Sequence, residues 1–221
     1  MDFLKILRSI EELLYEVISW LVFYPKTLWM TLSGPLRAMA YSDREQRDKP
    51  EQQYLETLSP PMFLVLSILI AWGIERAAHL SLPASHTDLG QMIQASSQNL
   101  LIFRALAYSI FPLMFAVAGL RLGGEQLTRE SLRAPFFAQC YLGGALAIAL
   151  GLGATGIRYP DETLSLVGIG LILAAFVWYL AVQWRWLRRG DRAGRLKAAV
   201  WTGGVFVLVL GLQGLVGWMA T

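Results

Sequence analysis

The hydrophobic positions of this chain fall into five long runs that are separated by short polar segments. The runs cover Met62 to Leu80, Leu100 to Leu120, Phe136 to Ile157, Leu164 to Trp186 and Ala198 to Met219. As a helix, with 1.5 Å per residue, the first run measures about 28 Å, close to the hydrocarbon thickness of a bilayer. The pattern predicts five transmembrane helices and an all-α integral membrane protein.

The first run sets the division of the chain. Ser59 stands before Pro60 and Pro61, and we expect Ser59 to cap a helix whose first position is Pro60. The residues before that cap are more polar than those after it. We therefore predict an N-terminal arm over residues 1–58, cytoplasmic or interfacial, and a transmembrane domain over residues 59–221.

The start of the arm has helical periodicity. From Phe3 to Val22 apolar residues recur at three-four spacing, and the opposite face is charged. Three glutamates make a crossing costly, so we predict an amphipathic interfacial helix that lies on the membrane, on the protein's own crossings or on a partner. Pro25 is expected to begin a second short helix, and Tyr41 to Thr57 is expected to be a solvated linker that includes a Ser42–Glu45 capping box.

Composition excludes most other classes. The chain is 55% hydrophobic and only 16% charged, whereas soluble domains carry roughly 25% charged residues. The single cysteine, Cys140, excludes an intrachain disulfide, and His79, His86 and Asp88 are too few for a strong metal site. The sequence has no catalytic signature and no nucleic-acid module, so we predict a protein that is not an enzyme and has no cofactor or metal.

Positive charge alternates between the predicted loops. The arm, the loop after the second crossing and the loop after the fourth are rich in Lys and Arg. The loop from His79 to Asn99 and the C-terminal tail carry none, and Arg158 alone lies near the remaining loop. By the positive-inside rule the N-terminus is cytoplasmic and the C-terminus is on the other side, which is the periplasm if the membrane is a bacterial inner membrane.

This topology can be measured with reporter fusions. A reporter after Thr221 is expected to read as periplasmic or lumenal, and one placed at Gly190 as cytoplasmic, because the charge rule assigns opposite sides to these positions. A cytoplasmic signal from the C-terminal fusion would mean that one crossing has been miscounted.

The pattern also resembles a known family. Gly123 and Gly124, the basic segment Arg129 to Arg133, and then Pro135, Gln139 and Tyr141 are similar to the segment between the second and third crossings of the Yip1-type membrane protein family. The arm, with Phe23-Tyr24-Pro25 and Ser59-Pro60-Pro61, resembles that of bacterial members that are labelled permeases. The resemblance implies five crossings, an outward C-terminus and a role in membrane organisation. It brings no catalytic residues.

The sharpest candidate site is an intramembrane charge pair. Glu75 and Arg104 are both predicted about 7 Å below the outer interface, on helices that run antiparallel. Charges at this depth are costly and are usually paired. The pair is either structural, with separate snorkelling as a variant, or part of a site for an ion or polar solute.

Other residues suggest packing. Pro112 is expected to kink the second crossing. Small residues at helical spacing predict close helix contacts, within the chain or between copies, and Gln139 and Gln213 are expected to hydrogen-bond across helices. The small residues are Gly143, Ala147 and Gly151 on the third crossing, and Gly204 and Gly211 on the fifth.

The last loop is strongly basic. Its charge fixes topology and is expected to attract anionic lipid headgroups at the cytoplasmic face. The residues are Arg185, Arg188, Arg189, Arg192, Arg195 and Lys197.

Two function classes are compatible with these features. One is a non-enzymatic membrane protein that works through protein or lipid partners, as a homo-oligomer or with another membrane protein. The alternative is a small permease or channel subunit for an ion or polar solute, with Glu75, Arg104 and Pro112 near its pathway.

Overall fold

A computed structural model describes residues 3–49, 52–80, 85–189 and 194–220, with side chains from Arg8 to Trp218. Over these ranges the regular structure is entirely helical. The helices are α1 (Phe3–Ser33), α2 (Pro35–Glu45), α3 (Pro60–Ala77), α4 (Asp88–Gln94), α5 (Ser97–Leu122), α6 (Arg129–Arg158), α7 (Glu162–Leu187) and α8 (Arg195–Ala220).

Five of these helices are long and apolar enough to cross a membrane: α3, α5, α6, α7 and α8. The predicted all-α fold with five crossings is therefore confirmed, and the protein is an integral membrane protein. We call the end of the bundle where α3, α6 and α8 begin the proximal end, and the opposite end the distal end.

The first crossing is slightly shorter than predicted. α3 ends at Ala77, and His79 two residues later has a positive φ of 54°. Ser59 occupies the N-cap position but its side chain makes no capping hydrogen bond. Pro60 and Pro61 fill the first two positions and have no N–H, so Met62 N is the remaining capping donor, and Ser59 does not bind it. The backbone carbonyl of Ser59 instead accepts from Phe63 N at 2.9 Å.

Helix α6 is the centre of the bundle, in contact with α3, α5 and α7. Its glycines permit this closeness. A Cβ at Gly144 would lie 2.6 Å from the Phe63 ring of α3, and one at Gly151 would lie 2.4 Å from Ala71 Cβ. Such distances are far below van der Waals contact, so larger side chains at these positions would push the helices apart.

The predicted small-residue contacts hold on α6 and fail on α8. Gly143 lies against the Pro112 ring of α5, and Ala147 is buried. The prediction that Gly204 and Gly211 pack closely within the chain is wrong, because a Cβ at either position would meet no atom within 4 Å. Helix α8 turns Thr202, Val205 and Val209 toward the bundle, whereas its glycines lie on the outer face.

Pro112 does not interrupt α5, which is continuous from Ser97 to Leu122. Its ring fills the space that the absent side chain of Gly143 leaves on α6, where a Cβ would come within 2.7 Å of Pro112 Cγ. The proline therefore has a packing role in addition to the missing amide hydrogen bond.

The prediction that a second helix begins at Pro25 is wrong, because α1 runs through this proline from Phe3 to Ser33. Contacts on both sides of Pro25 hold the helix in place. The Tyr24 ring packs at a tilt against Phe63 of α3, with ring centroids 5.3 Å apart. Thr27 Oγ1 accepts a hydrogen bond from Leu58 N at 3.1 Å. This docking offsets the cost of a proline inside a helix.

The segment expected to be a solvated linker is in part folded onto the bundle, since Ser42 and Thr57 are buried whereas Arg47 and Lys49 are exposed. Met39 and Ser42 of α2 are fully buried, and α2 packs against α6. The Ser42–Glu45 capping box does not form. Ser42 Oγ lies 3.2 Å from the Tyr54 hydroxyl, and a Glu45 carboxylate oxygen accepts a hydrogen bond from Tyr54 N. Burial raises the pKa of the Tyr54 hydroxyl.

Candidate functional site

Three charged side chains meet at the distal end of the bundle. Glu75 Oε2 lies 2.7 Å from Arg104 Nη1, and Glu75 Oε1 lies 2.7 Å from Arg158 Nη2. Glu75 is only 7% exposed. One carboxylate thus links three crossings, because Glu75 belongs to α3, Arg104 to α5 and Arg158 to α6.

The three charged groups lie close together because each stands near the distal end of its helix. Glu75 stands two residues before the end of α3, and Arg158 is the last residue of α6. Arg104 stands seven residues after the start of α5 at Ser97, deeper than predicted, and its long side chain spans the difference. Glu75 and Arg104 are the pair that the sequence predicts, and the structure brings them together.

Arg158 is the member that sequence reasoning missed. The sequence did mark this residue, since it is the lone basic residue near a loop whose other charges, Asp161 and Glu162, are negative. The sequence pattern indicated only a loop charge, because Arg158 stands at the boundary of an apolar run. In the fold it ends α6, and α6 packs against both α3 and α5, which places its guanidinium beside Glu75.

The cluster carries two positive charges and one negative charge. Both Glu75 oxygens are engaged by guanidinium groups, which is the geometry that compensates a buried carboxylate. Arg158 Nε is in addition 3.4 Å from Ala154 O. This arrangement holds three helices together and leaves one net positive charge on the cluster.

A cavity of about 240 Å³ opens beside this cluster. Helix α4 and the start of α5 form its other side. Its lining is largely polar and includes Glu75, Arg76, Gln94, Ser96 and Ser97, with Trp72 and Leu80 as apolar members. Such a cavity has room for water or a small polar solute.

A second cavity, of about 470 Å³, lies at the proximal end among α2, α6 and α7. Charges of both signs line it, and Arg189 on its rim donates to Leu36 O of α2 at 3.3 Å. The polar lining includes Asp43, Gln46, Arg47, Glu125, Ser131 and Arg189.

Between the two ends the bundle is closely packed and contains a buried amide pair. Gln139 Nε2 donates to Gln183 Oε1 at 2.9 Å, and Gln183 Nε2 donates to Gln139 Oε1 at 2.6 Å. Gln213 donates to Ala107 O across α5 and α8. The predicted cross-helix hydrogen bonds of Gln139 and Gln213 are therefore confirmed.

The basic residues of the last loop lie at the proximal end. Arg185 and Arg189 are exposed on α7 or just after it, and Arg195 and Lys197 are exposed at the start of α8. The Arg188 guanidinium lies 4.7 Å from the Trp184 ring centroid. Arg192 lies outside the described residues.

No group of three His, Cys, Asp or Glu side chains within the described ranges could hold a metal ion. Comparisons with protein-family models, curated proteins and solved structures gave no match. The resemblance to the Yip1-type family therefore stays a prediction.

Proposed function

We propose that this protein is a non-enzymatic membrane protein that acts through a protein or lipid partner in membrane organisation. The supporting observation is the first half of α1. Its apolar side chains are exposed, whereas the second half of the same helix is docked on the bundle. The exposed residues are Ile10, Leu13, Leu14, Val17, Ile18, Leu21 and Val22.

An exposed apolar face of this extent is typical of an interaction surface. The docked half of α1 holds it at a defined place, since Tyr24 contacts Phe63 and Ser67 of α3. The face therefore continues from the docked half of α1 at the proximal end. It suits an apolar groove of a partner or the interfacial layer of the membrane.

The charge cluster favours a structural role over a solute path. Both oxygens of Glu75 are already bound by arginine, so a cation would have to displace a guanidinium. The centre of the bundle is filled by large buried side chains, among them Phe63, Phe115 and Tyr141. A path through the single chain would need these contacts to open.

The remaining features fit the same proposal. Tyr141 OH donates to Leu58 O at 2.9 Å and so ties the arm to α6, and Gly124 has the positive φ of 70° that its turn requires. Both belong to the segments that resemble the Yip1-type family. We place the protein in a bacterial inner membrane, with the proximal end cytoplasmic and its arginines near anionic lipid.

The test is co-purification in mild detergent from native membranes. We expect a stoichiometric partner to be captured by the natural protein and lost from the Leu14→Ser/Leu21→Ser variant, because this change removes apolar area from the exposed face of α1. Bound proteins and lipids are identified by mass spectrometry.

The matched control is Leu173→Ser/Val177→Ser, which makes the same kind of change at exposed positions of the crossing α7. It should retain the partner. Equal loss from both variants, or unchanged capture by the α1 variant, would contradict the proposal.

The alternative is a small permease or channel subunit, and the two polar cavities at opposite ends of the bundle favour it. Under this alternative a small polar solute should raise the midpoint of thermal unfolding. A Glu75→Gln variant should then lose the solute-dependent shift, as measured in detergent. A shift that survives in the variant would exclude Glu75 from a solute site.

A further inference from the structure

A large apolar groove lies between α5 and α6, on the outside of the bundle. Phe103, Leu106, Ile110 and Leu113 follow three-four spacing and so share one face of α5. Phe136 and Phe137 of α6 form the other wall. The volume is about 850 Å³, within the roughly 300–1,000 Å³ range of ligand pockets.

Two arginines stand at the proximal end of the groove. Arg129 and Arg133 line it and are one helical turn apart, on the same side of α6. Both are exposed, and within the described residues no carboxylate lies at ion-pair distance from either. The Arg133 guanidinium carbon is 5.6 Å from the Phe137 ring centroid, so its charge is held directly beside the apolar wall.

The position of these arginines in α6 is electrostatically unusual. Arg129 is the first residue of the helix, where the macrodipole disfavours cations and favours anions. Glu130 supplies one negative charge in this turn, but it points about 100° away from Arg129. An anion between Arg129 and Arg133 would be attracted by both guanidinium groups and by the helix dipole.

We propose that this groove binds one anionic phospholipid from the leaflet at the proximal end. The phosphate lies between Arg129 and Arg133, and an acyl chain follows Phe136 and Phe137 of α6 toward Leu113 of α5. From Arg133 to Gly143, which lies against Pro112, the rise along α6 is about 15 Å. That length is about half of a hydrocarbon core of roughly 30 Å, the reach of one leaflet. A peptide fits less well, because the groove wall is apolar and the Ser109 hydroxyl already donates to Ala105 O at 2.7 Å.

This inference goes beyond the proposed function, since it does not involve α1. The test uses the delipidated protein in detergent, titrated with phosphatidylglycerol, phosphatidylcholine or inorganic phosphate, with the thermal unfolding midpoint as readout. We expect phosphatidylglycerol to bind more tightly than phosphatidylcholine. Arg129→Gln/Arg133→Gln should weaken phosphatidylglycerol binding about 30-fold, since each basic residue contributes to headgroup binding.

A second variant tests the groove without touching the arginines. Leu113→Trp adds bulk at a groove position that is 39% exposed, so the fold tolerates it while the acyl chain is displaced. Matched controls are Val177→Trp on the outer face of α7 and Arg44→Gln/Lys49→Gln, which removes two charges elsewhere at the proximal end. Both controls should bind phosphatidylglycerol like the natural protein.

Several results would overturn the proposal. One is phosphatidylglycerol binding that is unchanged in the arginine variant or in Leu113→Trp. Another is equal weakening in the charge control, which would indicate only diffuse attraction. A third is stabilisation by inorganic phosphate that equals that by the lipid, which would indicate a simple anion site.

Discussion

Replacing Glu75 by glutamine is expected to cost about 3 kcal/mol of unfolding free energy, the cost of breaking a buried ion pair. The change leaves Arg104 and Arg158 close together without the carboxylate that joins them. Removing one arginine is less severe, because Glu75 keeps its other partner. We expect Arg104→Met and Arg158→Met each to cost about 1 kcal/mol. The measurement is equilibrium unfolding in mixed detergent micelles.

A double-mutant cycle measures the coupling between Glu75 and Arg104. In the Glu75→Gln background, Arg104→Met should cost nothing or restore stability, because it removes an uncompensated charge. The coupling free energy is expected to be on the order of 1–2 kcal/mol. Additivity within about 0.5 kcal/mol would show that the ion pair makes no net contribution.

The second large effect is expected at Gly168, where α7 touches α6. A Cβ on Gly168 would lie 2.5 Å from Gly153 O and 3.0 Å from Ile157 N, both of which are backbone atoms. A side-chain contact can relax by rotation, but here one whole helix has to move. Gly168→Ala is therefore expected to destabilise the bundle by about 1–3 kcal/mol, the usual cost of overpacking. Unfolding in mixed micelles measures this cost.

Gly170 provides the matched control, because it lies on the same helix two residues away. A Cβ there would meet no atom within 4 Å. Gly170→Ala should leave stability unchanged or raise it by up to about 1 kcal/mol, since alanine favours helix. Equal losses at both positions would mean that the contact between α6 and α7 is looser than the structure shows.

The charge cluster shows how far a sequence can predict a site. Glu75 and Arg104 were identifiable because charges are rare in apolar runs and because consecutive crossings form a hairpin. The membership of Arg158 in the cluster was not predictable in this way, because its contact with Glu75 depends on α6 packing against both helices of that hairpin. The order of helices around α6 is set by glycine and proline contacts, which a linear pattern does not encode.

In the N-terminal arm, two predictions made from local rules were wrong. Local rules predicted that Pro25 would start a new helix and that the residues around Ser42 would be solvated. Both predictions failed because contacts between distant residues outweighed local preference. Tyr24 and Thr27 dock α1 on α3 and Leu58, and Tyr54 covers the buried face of α2.

The sequence by itself determined the helical class, the number of crossings and their approximate bounds, because a bilayer requires long apolar runs with internally satisfied backbones. Tertiary structure alone decided which faces meet. It placed the glycines of α6 at helix contacts and those of α8 on the outer face. It also joined Arg158 to Glu75 and set Arg129 and Arg133 above an apolar groove. These outcomes depend on side-chain shape at contacts between separate helices, which hydrophobic periodicity cannot specify.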